Sequence, residues 1–296
     1  MKIKQSTREE LYFFIFIIPW VIGFLAFTIY PVVSSLYFSF TAYDAVNPSK
    51  FIGLTNYSDL FKDELFWRAI KATAYFTLLS VPINLIFSLF FASLLNQNIP
   101  FSKFFRTSMY LPSMVSGVTM SLLWMWLFNP RIGLINYFLS LIGISGPAWL
   151  SSEKWAIPSL ILMSFWNMGA GMVIFLAGLK SVPVSYYEAA KIDGANAWQR
   201  FCKITLPAIS PVLLFQLIMN IIDSFQVFTP AFVMTQGGPH YATWFYVYYL
   251  YKSAFSDFRI GYSSALGWML LVTVSLLSYL IIKFSDRFVY YEGGKS

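Results

Sequence analysis

Ionisable side chains are scarce in this chain. Only 11% of its 296 residues are charged, against roughly 25% in an ordinary soluble domain. With 58% of residues hydrophobic, too few polar side chains remain to cover a water-facing surface. That balance excludes a soluble globular domain and predicts a membrane protein. Cysteine is almost absent: Cys202 stands alone, which excludes an internal disulfide and a cysteine metal cluster. His240 is the sole histidine, so a His/Cys metal site is not expected. The same shortage leaves no cluster of titratable groups for an enzyme active site, and no ring of charges or carbonyls marks a channel filter.

What the chain has instead is long charge-free runs. Residues 11–43, 72–102, 107–130, 155–179 and 260–282 contain no Lys, Arg, Asp or Glu, and 204–251 contains only Asp223 before Lys252. A spanning helix needs about 20 apolar residues. The runs predict six spans, at roughly 11–38, 70–95, 107–129, 155–179, 207–234 and 263–285. "TQGGPH" at 235–240 interrupts the longest run, and the aromatic stretch after it reads as an external segment. The first run is too long for the apolar core of a signal peptide and no small-residue cleavage site follows, so it is expected to stay as an anchor.

The net charge of +7 points to topology rather than to nucleic acid. With the N-terminus inside, the inner segments carry twelve of the 20 basic residues, among them Lys2, Lys4, Arg8, Lys103, Arg106, Lys180, Lys191, Arg200, Lys203, Lys283, Arg287 and Lys295. The outer segments carry the rest although they are longer in total. The positive-inside bias therefore places both termini and the 180–207 loop in the cytoplasm. The expected organisation is an N-terminal segment at 1–10, a six-span domain at 11–287 and a tail at 288–296.

The most polar long stretch is that loop, "YYEAAKIDGANAWQRFCKITLP" at 186–207. Ser185 and Glu188 have capping-box spacing, and Ala189 and Ala190 favour helix. Asp193-Gly194 supplies a turn. Trp198, Phe201 and Ile204 have the spacing to pack a second helix back on the spans. Helix, turn and helix are expected, with a flat Ala-Ala surface open to another protein. An amphipathic connector is the plainer alternative.

The pattern is sharper than its periodicity. Glu188-Ala189-Ala190, three residues, Gly194, nine residues, then Ile204-x-Leu206-Pro207 resembles the EAA loop of binding-protein-dependent ABC importer permeases. Further segments resemble the carbohydrate, maltose-type branch: "FIGLTNYSDLF" at 51–61, "FFRTSMYLPSMVSGVTMSLLWMWLFNP" at 104–130, the stretch from Trp166 to Pro207, and "FTPAFVMTQGGP" at 228–239. The resemblance implies an all-α membrane protein with the six-helix type I importer permease fold. It implies that Ser185, Tyr187, Glu188, Ala189, Ala190, Asp193, Gly194 and Ala195 form a coupling element that docks on an ATPase subunit. It implies as partners a second homologous permease, an ABC ATPase dimer, an extracytoplasmic solute-binding protein and a sugar, in a bacterial cytoplasmic membrane. Gly237, Gly238 and Pro239 would lie against the binding protein, although a plain turn accounts for the same residues. ATP and Mg would sit on the ATPase, and this chain would bind no cofactor. "GGKS" at 293–296 is not a P-loop, because Val289 occupies the position that requires the first glycine.

Asp223 is the one acid inside an expected span, where a carboxylate is costly unless paired or hydrated. Asn220, Asp223, Ser224 and Val227 share one helical face, flanked by Phe225 and Phe228. Amides and a carboxylate bind hydroxyls, and aromatic faces stack on a pyranose. The resemblance places a sugar path at these four residues and at Met163, Trp166, Asn167 and Ala170 in the fourth span. It departs from the maltose-type pattern at Asp223, where an aromatic residue is usual. A structural pair with a partner subunit is the alternative role for Asp223. A permease for another solute, such as glycerol phosphate, and an ion-coupled secondary transporter remain the alternative functions. Against the latter, no internal repeat is visible and only one intramembrane acid is present.

Overall fold

A computed structural model describes residues 3–97, 99–285 and 289–290. Lys2, Arg287, Lys295 and the "GGKS" stretch lie outside the described residues. The structure is mostly helical and divides into two units, one of residues 1–63 with 250–271, the other of 64–249 with 272–296.

In the first unit a long helix runs from Ile3 to Ser39, interrupted only by a π turn at Leu25–Ile29. A two-stranded antiparallel hairpin follows, with Thr41 opposite Phe51 and Ala42 opposite Lys50. The helix Thr55–Lys62 then folds back on it. This explains "FIGLTNYSDLF" in physical terms. Buried Asn56 donates its side-chain amide to the carbonyls of Ser39 and Thr41, both at 2.9 Å, and Tyr57 bonds the Ser39 hydroxyl at 2.8 Å. One side chain thus satisfies both the Ser39 carbonyl at the helix end and the Thr41 carbonyl of the hairpin strand. Asn56→Leu strands both and is expected to destabilise this unit by about 2–4 kcal/mol. Limited proteolysis should cut the 40–63 segment faster in that variant; an unchanged cleavage rate would refute the assignment.

The second unit is built on Glu64–Leu95, a 32-residue helix that passes Pro82, and on the Glu153–Ser164 and Met168–Ser181 helices, which a 3₁₀ turn at Phe165–Asn167 joins. Its core includes Ala92, Leu95, Met172, Phe175, Leu176, Leu179, Val182 and Ile209. Gly169 lets the Met168–Ser181 helix approach the Ser102–Tyr110 helix closely: a methyl group there would collide with the Met109 carbonyl oxygen.

Among the described residues, four helical stretches are long and apolar enough to cross a membrane: Tyr12–Ser39, Glu64–Leu95, Glu153–Ser181 and Ile260–Ser285. The other two expected spans are not continuous helices. The run at 107–129 breaks into the helix Ser102–Tyr110, a 3₁₀ turn at Leu111–Met114 and the helix Gly117–Leu127. Pro112 removes a backbone donor, and Ser116 caps the new helix by accepting from the Thr119 amide. The run at 207–234 bends by 68° between Ala197–Ala208 and Ser210–Phe225. That helix then ends, and a π turn follows at Ala231–Thr235, just after Pro230. Hydropathy marks the apolar length of these two segments, whereas proline and serine decide where their helices stop.

Candidate functional site: a polar cavity and a capped surface loop

A cavity of about 580 Å³ lies within the second unit. The Glu64–Leu95 helix supplies Ser80, Asn84 and Ser88 at i, i+4 and i+8, hence one face. The Ser210–Phe225 helix supplies Gln216, Asn220 and Asp223, and the Glu153–Ser181 stretch supplies Met163, Asn167 and Ala170. Phe76 and Phe215 add aromatic wall. Hydrogen bonds hold several of the polar side chains. Asn84 donates to the Ser80 carbonyl at 3.0 Å and to the Ser164 hydroxyl at 3.1 Å; the Ser88 hydroxyl donates to the Met168 carbonyl at 3.1 Å. Gln216 donates to the Gly171 carbonyl at 3.2 Å, and Asn220 to the Gln216 carbonyl at 2.8 Å. A Cβ at Gly171 would press on the Ser88 hydroxyl and the Gln216 amide, so both side chains would have to shift.

Of the expected path residues, Asn220, Asp223, Ser224, Val227, Met163, Asn167 and Ala170 all line this cavity. Val227 reaches it from beyond the helix end at Phe225. Ser224 is buried, and its hydroxyl donates to the Ile221 carbonyl at 2.8 Å. Trp166 does not line the cavity. Its ring packs edge-on against Trp124, centroids 5.7 Å apart. Trp166 lies on the 3₁₀ turn at Phe165–Asn167, and its ring is taken up by Trp124 instead of the cavity wall. Ser80, Asn84, Ser88 and Gln216 were missed, though their spacing of four inside charge-free runs was a usable signal. Asp223 is the only charged residue among those lining the cavity, and among the described residues it has no ion-pair partner.

The second feature is the 180–207 loop. Its first helix spans Val184–Ile192 and is preceded by Pro183, with no side-chain cap. The capping box expected from Ser185 and Glu188 does not form. Pro183 has φ −58° and holds Val182 extended, so the helix begins early enough to place Ser185 inside it. The exit is a full Schellman motif: the Ala195 amide donates to the Ala190 carbonyl at 2.9 Å and the Gly194 amide to the Lys191 carbonyl at 3.1 Å. Gly194 has φ +77°, a conformation cheap for glycine alone. A capping box does occur one helix later, between Asn196 and Gln199, with both bonds at 2.9 Å. Tyr187 anchors the loop through its hydroxyl to Thr205 at 3.0 Å, and Tyr187 and Ile204 pack on the core. Trp198 does not pack back: it is 72% exposed and stacks on Phe201. Ser185, Glu188, Ala189 and Asp193 are exposed, and Ala190 and Ala195 half-buried. The outward surface thus joins Glu188 to the apolar Val184, Ala189 and Ile192.

At the "TQGGPH" turn, Gly237 is buried beneath Trp244 and Tyr248, which leave no room for a Cβ. The Thr243 hydroxyl donates to the Gly238 carbonyl at 2.7 Å. Gly238 and Pro239 are half-buried.

A hydroxyl- and amide-lined cavity inside a bundle of apolar helices, beside a preformed surface loop, defines a membrane transport component. Residues 84–290 match the model of the "binding-protein-dependent transport system inner membrane component" family, and the chain belongs to that family. It is 43% identical to the probable ABC transporter permease protein YesP of Bacillus subtilis, over 99% of this chain and 96% of that protein. It is 30% identical to the arabinooligosaccharides transport system permease protein AraP of the same organism, over 96% and 94%. Among solved structures it resembles the bacterial alginate ABC transporter in complex with an alginate pentasaccharide-bound periplasmic protein. The TM-score is 0.84 at 25% identity, covering 97% of this chain and 98% of that one. The chain is therefore a multi-pass ABC importer permease, a transport subunit rather than an enzyme.

Proposed function

We propose that this chain forms half of the membrane path of an ATP-driven importer of sugars or oligosaccharides. The observation that carries this reading is the cavity, where Asn84, Asn167, Gln216, Asn220 and Asp223 put amides and a carboxylate beside Phe76 and Phe215. That chemistry suits a hydroxyl-rich solute with an apolar ring face. AraP, a permease for arabinooligosaccharides, supports the same substrate class. Six membrane crossings, two of them broken helices, keep both termini in the cytoplasm of a bacterial cell, in line with the positive-inside bias. A second homologous permease completes the path. Ser185, Tyr187, Glu188, Ala189, Ala190, Asp193, Gly194 and Ala195 couple it to an ABC ATPase dimer that holds the ATP and Mg, so this chain binds no cofactor. An extracytoplasmic binding protein delivers the sugar near Gly238 and Pro239, with Gly237 fixing the turn from below.

Two measurements test this. Purification of the tagged chain from its native membranes in mild detergent should bring down an ATPase, a second permease and a binding protein. Recovery of the chain alone, with uptake driven by an ion gradient, would remove the reading. Asp223→Asn should lower kcat/KM for the transported sugar about ten-fold, as loss of one charged hydrogen bond, with ATPase recovery unchanged. Unaltered uptake kinetics would take Asp223 out of the path.

A further inference from the structure

A second groove, of about 440 Å³, lies between the Ser102–Tyr110 and Met168–Ser181 helices. The first contributes Arg106 and Tyr110, and the second contributes Val173, Leu176, Ala177 and Lys180 at i, i+3, i+4 and i+7. The two helices run in opposite directions. Gly169, at the start of one, abuts Met109 and Tyr110, at the end of the other. Arg106 reaches back to the end of the Glu64–Leu95 helix, where its Nη2 donates to the Leu95 carbonyl at 2.8 Å. Leu95 packs with Leu179 and Val182. Both cations therefore sit at one end of the groove, and its apolar wall runs from them into the span.

The charges at that end are unbalanced. Among the described residues neither Arg106 nor Lys180 has an ion-pair partner, and no acid lines the groove. The Nε–H of Arg106 is buried and has no acceptor in the protein. A buried guanidinium donor without an acceptor is costly, and two cations in one groove repel unless an anion lies between them. The occupant must then be anionic at the span end and apolar along the span. Basic pockets between helices at a membrane surface hold phospholipid headgroups on those terms.

We propose that this groove binds an anionic phospholipid, with its phosphate on Arg106 and Lys180 and one acyl chain along Val173, Leu176 and Ala177. Occupation sets an anion beside the Arg106 guanidinium and the Lys180 ammonium and bridges the Ser102–Tyr110 helix to Met168–Ser181, the helix that also carries Ala170 of the cavity.

The test is native mass spectrometry of the full chain in neutral detergent, titrated with dioleoylphosphatidylglycerol or dioleoylphosphatidylcholine. The parent should prefer the anionic lipid by about ten-fold or more. Lys180→Gln and Arg106→Gln should each remove about five-fold of that preference, whereas Lys62→Gln, in another part of the chain, should remove none. Lys180 is exposed and makes no ion pair, so its variant keeps the fold and its melting temperature in detergent verifies this. Equal binding of the two lipids would overturn the proposal. So would an undiminished preference in Lys180→Gln, which would leave the groove to a carboxylate of a partner chain. Displacement of the lipid by millimolar inorganic phosphate would reduce the site to a simple anion site and overturn it as well.

Discussion

Replacing Glu188 with lysine should abolish ATP-driven uptake while the protein stays in the membrane at its normal level. Glu188 is exposed on the Val184–Ile192 helix and forms no ion pair among the described residues. The helix keeps its start at Pro183 and its Schellman exit without it, so the substitution should alter stability by no more than about 0.5 kcal/mol. Any effect must then arise where the helix meets another surface. There a reversed charge amid Val184, Ala189 and Ile192 costs several kcal/mol if the partner surface is built for an acid. Loss of about a hundred-fold or more in uptake is expected, together with loss of the ATPase from the purified complex. Membrane fractionation and uptake of labelled sugar measure the two sides separately. Normal uptake by the Glu188→Lys protein would show that this helix does not couple the chain to its motor.

Gly169→Ala should have the opposite character, with folding lost before function can be measured. The obstacle to the added methyl is the Met109 carbonyl oxygen and the Tyr110 Cα, both backbone atoms, so no side-chain rotation relieves it. Separating the two helices to make room costs about 3 kcal/mol by the usual penalty for overpacking. It also opens the start of the helix that places Ala170 and Gly171 at the cavity. Gly23 is the matching control, because nothing lies within 4 Å of its missing Cβ. Gly23→Ala should be neutral or slightly stabilising, as alanine is the better helix former. Thermal melting in detergent compares them, and equal melting temperatures would show that the helix contact at Gly169 carries no constraint.

Much of this architecture was legible in the sequence because charge is so expensive in a membrane. The runs free of Lys, Arg, Asp and Glu located all four long apolar helices among the described residues. Asp223 stood out because it broke such a run, and its neighbours one turn away led to the cavity. The errors share one cause: average hydropathy and residue spacing carry no information on single backbone hydrogen bonds. Pro112 and Ser116 divide the third apolar segment although its composition is uniform. Pro183 overrides the Ser185/Glu188 spacing by starting the helix first. Trp166 packs on Trp124 instead of lining the cavity, and residue spacing alone does not say which neighbour a large ring takes. Ser80, Asn84 and Ser88 were overlooked because serine and asparagine carry no charge and so leave an apolar run looking unbroken.

The back-to-back caps of the 180–207 loop have a thermodynamic consequence. The Schellman turn at Gly194 and the Asn196–Gln199 box satisfy the backbone at the point where one helix ends and the next begins, and the Tyr187–Thr205 bond closes the loop on itself. No segment there has to order when a second protein arrives, so association forfeits little conformational entropy. The contact can then be modest in area and still specific.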